Sequence, residues 1–74
     1  MSNTIDQFNI LDEILFEERY FRDIERGLPK FLYISPDNYA ELLEQRGVDP
    51  LEGMTYFHGM EVIVSEDIEE IEIK

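Results

Sequence analysis

The sequence predicts a single α+β domain in which two helices pack on one face of a small, mostly antiparallel sheet. Three observations lead to this prediction. A long segment without a helix breaker opens the chain, a second segment carries clear capping residues, and short runs rich in β-branched and aromatic residues alternate with turn signals. With 74 residues, the chain has room for one domain, residues 1–74, of which residues 1–3 are expected to be loose.

The first and longest helix is predicted over residues 5–26. Thr4 and Gln7 have the spacing of a capping box at its start, and Gly27 followed by Pro29 indicates its end. A helical projection places seven apolar side chains on one broad face, which we expect to be buried: Phe8, Ile10, Leu11, Ile14, Leu15, Phe21 and Ile24.

Two aromatic residues of this helix, Phe16 and Tyr20, lie one turn apart and outside that face. The helix therefore has more apolar surface than one contact with a sheet requires. Either a small core wraps around the helix and leaves these aromatic side chains exposed, or they form an interface with a second chain, which could be a copy of this one.

A short strand and a capped helix follow. Residues 30–34 form an aromatic and β-branched run typical of a strand. Ser35 is a favoured N-cap and Pro36 suits the first helical position, so the second helix is expected to begin there and to continue to about Arg46. Gly47 then fits the left-handed position that ends many helices.

The last third of the chain predicts a β-hairpin and a final strand. Residues 54–57 and 60–64 flank His58 and Gly59, which can form a type I′ turn because both residues tolerate a positive φ. Residues 69–73 alternate glutamate and isoleucine for most of their length, as an edge strand does when its outward charges prevent pairing with other sheets.

Candidate catalytic chemistry is sparse. The chain has no cysteine, which excludes disulfides and thiolate metal sites, and His58 is its single histidine. No nucleophile elbow, phosphate-binding glycine loop or metal-ligand spacing is present. We therefore expect no catalytic residue, no cofactor and no metal. His58 is expected to be a turn residue, with an interface contact or a catalytic or metal-binding role as the alternatives.

Charge indicates the kind of partner. Asp and Glu number 18 against 6 Lys and Arg, for a net charge of −12, which argues against direct binding of nucleic acid or anionic membranes. Six acids and no base occupy the segment 61–72: Glu61, Glu66, Asp67, Glu69, Glu70 and Glu72. They form either a solvated face or an acidic surface that binds a basic protein, such as a nucleic-acid-binding protein whose phosphate ligands the carboxylates imitate.

The overall profile resembles small accessory or inhibitory proteins encoded by bacteriophages and other mobile elements, and the segment 56–65 is similar to glycine-then-strand pieces of phage structural proteins. Neither resemblance assigns a role to a residue.

No signal peptide and no apolar run of about 20 residues is found, so a cytoplasmic location is expected. The leading hypothesis is an acidic, non-enzymatic protein-binding module, such as an inhibitor. The alternative is an assembly subunit that forms a homo-oligomer, in the simplest case a dimer, through helix one.

Overall fold

The computed structural model describes residues 9–25 and 27–74. Its elements, in chain order, are α1 (Ile10–Glu25), β1 (Phe31–Ile34), α2 (Pro36–Arg46), β2 (Tyr56–Phe57), β3 (Met60–Val64) and β4 (Ile71–Ile73). Two helices packed against a four-stranded sheet confirm the predicted α+β class and the predicted order of elements.

Helix α1 begins at Ile10, later than the predicted start at residue 5. Asn9 precedes it as an N-cap, because its side-chain oxygen accepts a hydrogen bond from the backbone N–H of Asp12 at 2.9 Å. The capping box predicted from Thr4 and Gln7 lies outside the described residues.

Helix α2 has both predicted caps. The Oγ of Ser35 accepts a hydrogen bond from the N–H of Asn38 at 3.3 Å. At the other end Gly47 has φ 70°, and the N–H of Val48 donates to the carbonyl oxygen of Leu43 at 2.9 Å. These bonds satisfy backbone groups that a helix end otherwise leaves unpaired.

The sheet has the strand order β2-β3-β1-β4, so β2 and β4 form its edges. β2 pairs antiparallel with β3, and β4 pairs antiparallel with β1, whereas β1 and β3 pair in parallel. The sheet is therefore mixed, with two of its three pairings antiparallel. The parallel pairing is possible because α2 crosses between β1 and the hairpin, as parallel neighbours require a long connection.

The hairpin turn has the predicted conformation. His58 has φ 51° and Gly59 has φ 81°, and Phe57 pairs with Met60 across the turn. Positive φ at both central residues is the requirement of a type I′ turn, whose twist matches that of the two strands.

The core lies on one face of the sheet. Its buried side chains come from both helices and from three strands: Ile10, Ile14, Leu32, Ile34, Leu42, Phe57 and Met60. Because both helices contribute to this one cluster, they cover the same face. The alternate strand residues lie on the opposite, uncovered face, among them Phe31, Tyr33, Tyr56, Glu61, Ile63 and Glu72.

The buried face of α1 is narrower than predicted. Leu15 and Ile24 were expected to face the core but are 48% and 59% exposed. The sheet contacts α1 along a buried row in which Ile10, Ile14 and Glu18 follow each other at intervals of one turn. The charged Glu18, only 6% exposed, occupies a position in this buried row where an apolar residue would be expected.

Two matched substitutions test the position of the core. Ile34 is fully buried and Ile24 is 59% exposed. We expect Ile34→Val to lower the free energy of unfolding by about 1 kcal/mol, because it leaves a small cavity. Ile24→Val should change it by less than about 0.5 kcal/mol. Urea denaturation measures both, and equal losses would contradict this core.

Candidate functional site

Helix α1 presents a row of apolar side chains to solvent. Phe16, Tyr20 and Ile24 follow each other at intervals of one turn and are 62%, 58% and 59% exposed. We call these three residues the α1 stripe. Phe16 lies on the far side of the helix from the buried Ile14. The two residues that the sequence singled out as an interface, Phe16 and Tyr20, thus lie side by side at the surface.

The α1 stripe is a ridge between two open grooves. One groove, of about 760 Å³, lies between α1 and the hairpin turn, and Phe16 and His58 line it. The other, of about 530 Å³, lies between α1 and strand β4, and Tyr20 and Ile24 line it. We call them the hairpin groove and the β4 groove. A partner that covers the stripe would therefore meet a convex edge with a depression on each side.

The buried carboxylate of Glu18 connects α1 to the hairpin turn. One of its oxygens lies 3.2 Å from Nδ1 of His58, and the other accepts a hydrogen bond from Nη2 of Arg22, also at 3.2 Å. The imidazole of His58 stacks on the ring of Phe57 with the ring centroids 4.1 Å apart. These contacts hold one wall of the hairpin groove in place.

His58 lies in a turn, as the sequence predicts, whereas its contact with Glu18 is not predicted from the sequence. One sequence signal pointed to it. Glu18 continues the one-turn spacing of Ile10 and Ile14, so an acidic residue lies on the apolar face of the helix. A buried carboxylate needs a hydrogen-bonding partner, and the single histidine of the chain was an available one.

The six acidic residues of segment 61–72 are distributed over different parts of the surface. Strand alternation places Glu61 and Glu72 on the uncovered sheet face. Residues 66–69 form the turn and the approach to β4. Glu70, in contrast, lies close enough to Glu13 of α1 to raise the pKa of that residue.

The contact between Glu13 and Glu70 changes the acidity of this region. The pKa of Glu13 is raised from 4.5 to about 7, first by burial, then by the hydrogen bond to Glu70, and then by the negative charges of Glu70, Glu17 and Glu41. Near neutral pH, Glu13 is therefore protonated in a large fraction of molecules and can donate to the Glu70 carboxylate. No short-range pattern reveals this pair, because its members lie near opposite ends of the chain.

The surroundings of His58 bear on what the site can do chemically. In the hairpin groove the polar side chains beside His58 are acids and arginines, namely Asp12, Glu18, Arg19, Arg22 and Asp23. Among the described residues there is no group of three or more metal-ligating side chains close enough to hold an ion.

Neither described helix has the length and apolar character needed to cross a membrane. Comparisons of the chain with models of known families, with curated proteins and with solved structures found no match.

The raised pKa of Glu13 predicts how stability depends on pH. The folded state holds its proton more tightly than the unfolded chain, so stability should fall as the pH rises from about 4.5 to about 7. Glu13→Gln removes this dependence. Above pH 7 the variant should be more stable than the parent, because it has no buried negative charge at position 13. The gain should be only about 1 kcal/mol, since water partly screens the repulsion, and it should vanish towards pH 4.5.

Urea denaturation at several pH values measures this effect. The control is Glu44→Gln, which changes an exposed carboxylate on α2. A gain in stability from Glu13→Gln that is the same at both ends of the pH range would contradict the prediction.

A second prediction concerns the link between Glu18 and His58. Asparagine tolerates the positive φ at position 58 but is too short to reach Glu18. His58→Asn should therefore lower the free energy of unfolding by about 1 kcal/mol. In a Glu18→Leu background the same substitution should cost less, because the contact with Glu18 is already absent and only the stacking on Phe57 is lost. Equal losses in both backgrounds, measured by urea denaturation, would assign the effect to the turn and the stacking and not to Glu18.

Proposed function

We propose that this chain is a small, non-enzymatic protein-binding module that docks on a partner protein through the α1 stripe. The observation that carries the proposal is the alignment of three large apolar side chains, each more than half exposed, along one side of a helix. Single exposed apolar residues are common on soluble proteins, whereas an aligned group is typical of an interaction surface. Helices that bind in partner grooves use anchors at this spacing.

The residue types of the stripe favour binding. Phe16 and Tyr20 are aromatic, and aromatic anchors at the centre of an interface often contribute about 2 kcal/mol or more each when a partner encloses them. Their rings lose little conformational freedom on binding. The phenolic hydroxyl of Tyr20 can remain in contact with water at the rim while its ring is covered.

The charge of the chain favours a basic partner. The net charge is −12, and acidic residues flank the stripe on α1, among them Glu13, Glu17 and Asp23. A partner with an apolar pocket surrounded by lysine or arginine would be attracted over a distance, so association would be fast and would weaken with salt. A basic nucleic-acid-binding protein is one such partner. By occupying its binding surface, this chain would act as an inhibitor or accessory factor.

The hairpin groove supports a binding role more than a catalytic one. The Nδ1 atom of the His58 imidazole contacts Glu18, and the imidazole ring stacks on Phe57. The described side chains that line the groove with His58 include no hydroxyl, thiol or amine that the imidazole could activate as a nucleophile. The groove has the character of a recess beside an interface.

The α1 stripe also favours a second candidate function, an assembly subunit in which two copies pack their α1 helices together. The apolar side chains of the two stripes would cover each other in such a dimer. Repulsion between two chains of charge −12 opposes this pairing, and salt would screen that repulsion. The two functions therefore differ in the sign of their salt dependence.

The double variant Phe16→Glu with Tyr20→Glu tests both functions. Both side chains are exposed, so we expect the variant to fold like the parent chain. Quantitative affinity capture at low salt should yield a saturable protein partner whose binding weakens at least about tenfold in the double variant. Leu51→Glu is the matched control, because Leu51 is 94% exposed and lies outside α1, and it should retain the partner.

Light scattering over a range of salt concentrations separates the two candidates. A monomer at every salt concentration is expected for a module that binds a foreign partner. An oligomer that becomes stronger with salt and dissociates in the double variant would support the assembly subunit instead. The absence of any saturable partner for a monomeric chain would contradict both.

A further inference from the structure

Among the strands that the structure describes, β4 forms one edge of the sheet and pairs with β1 on its inner side. Phe31 and Lys74 exchange both backbone hydrogen bonds, each 3.0 Å long, and the carbonyl oxygen of Glu70 also points towards β1. Hydrogen bonding alternates along an antiparallel pair, so the N–H and C=O groups of Ile71 and Ile73 point away from β1. Together they form the outer edge of the sheet.

Within residues 9–25 and 27–74, no group forms a hydrogen bond with the backbone N–H of Ile71 or Ile73. The β4 groove runs along this edge, since all of residues 70–74 line it. A strand edge with unpaired N–H and C=O groups is a template for another strand. The groove therefore offers backbone hydrogen bonds to an extended segment.

The opposite wall of the β4 groove, formed by α1, carries three apolar side chains as well as three glutamates. Tyr20, Phe21 and Ile24 of α1 line it, facing Ile71 and Ile73 across the groove. In an added strand every second side chain would point towards α1. Apolar residues at those positions would be covered by this wall, as occurs where proteins recognise peptides by strand addition.

The charges around the groove determine which kind of extended segment is attracted to it. Lys74 is the one base among the described residues that line the groove, and its Nζ already lies 3.7 Å from the carboxylate of Glu72. Against this base stand the carboxylates of Glu17, Glu25, Glu70 and Glu72, together with Glu13, which is only partly ionised near neutral pH. A second copy of β4 would bring its own glutamates against these carboxylates, and like charges on paired strands are unfavourable. A basic segment would be attracted instead.

From the edge, the apolar wall and the acidic rim, we propose that the β4 groove binds an extended segment of a partner protein, with alternating basic and apolar residues, as a fifth strand beside β4. This inference rests on the proposed protein-binding function, and it adds a second contact region and the chemistry of the segment that fits it. Two residues of the α1 stripe, Tyr20 and Ile24, also line this groove, so one partner could cover both.

The test uses a short synthetic peptide of alternating lysine and valine as the probe. The 74-residue chain is accessible to chemical synthesis, which allows N-methylation of a single amide. N-methylation of Ile73 removes its outward N–H and keeps the side chain. N-methylation of Tyr56 is the matched control, because its N–H points outward from the opposite edge: the N–H of Val62 donates to the carbonyl oxygen of Thr55, the residue before it.

We expect the parent chain to bind the lysine–valine peptide and not a glutamate–valine peptide. N-methylation of Ile73 should weaken binding at least about tenfold, and N-methylation of Tyr56 should leave it unchanged. In the unmodified chain, amide hydrogen exchange at Ile71 and Ile73 should slow when the peptide binds. Lack of binding, lack of this protection, or equal effects of the two methylations would overturn the inference.

The failure of this inference is distinguishable from failure of the proposed function. Phe16 lines the hairpin groove and not the β4 groove, so the uncharged substitution Phe16→Ala should leave peptide binding unchanged. If the peptide does not bind while capture of a partner still depends on Phe16 and Tyr20, strand addition is wrong and stripe docking stands. If the peptide binds at β4 and no stripe-dependent partner exists, strand addition stands and stripe docking is wrong.

Discussion

The fold depends on a core that is built on one face of the sheet only. Seven buried side chains from both helices and three strands form a single cluster there. In a chain of 74 residues the two helices are enough to cover this face, and the other face stays uncovered with Phe31 and Tyr56 at its surface. The outer side of α1 is exposed for the same reason, because no third layer formed by residues 9–25 and 27–74 packs on it. The α1 stripe and its two grooves follow from this architecture.

The contacts of Glu18 favour one arrangement of α1 and the hairpin on the covered face of the sheet. A carboxylate in the buried row of α1 has to find partners, and it finds the hairpin turn through His58 and its own helix through Arg22. Removal of one partner from such a buried group generally costs more stability than the pair itself provides. The contact therefore favours one position of the hairpin relative to α1. The shape of the hairpin groove depends on that position.

The excess of acidic residues has different consequences in different places. Between α1 and the approach to β4, Glu13 and Glu70 lie close enough for one carboxyl group to retain a proton near neutral pH. On the strand edge and along α1, the acids remain in solvent and surround apolar side chains. The same negative charge that opposes self-association would attract a basic partner to either contact region.

The sequence by itself determined the local elements of this protein. The Ser35 cap, the left-handed Gly47 and the His58–Gly59 turn were all predicted, because each depends on residues a few positions apart. The apolar residues of α1 cover a wider arc than one contact can bury, so only the position of the sheet decided that Leu15 and Ile24 lie at the surface. The parallel pairing of β1 with β3 and the contacts of Glu18 with His58 and of Glu13 with Glu70 likewise required the tertiary structure. Each joins residues far apart in the chain, and no short-range pattern records which of several possible partners the fold brings together.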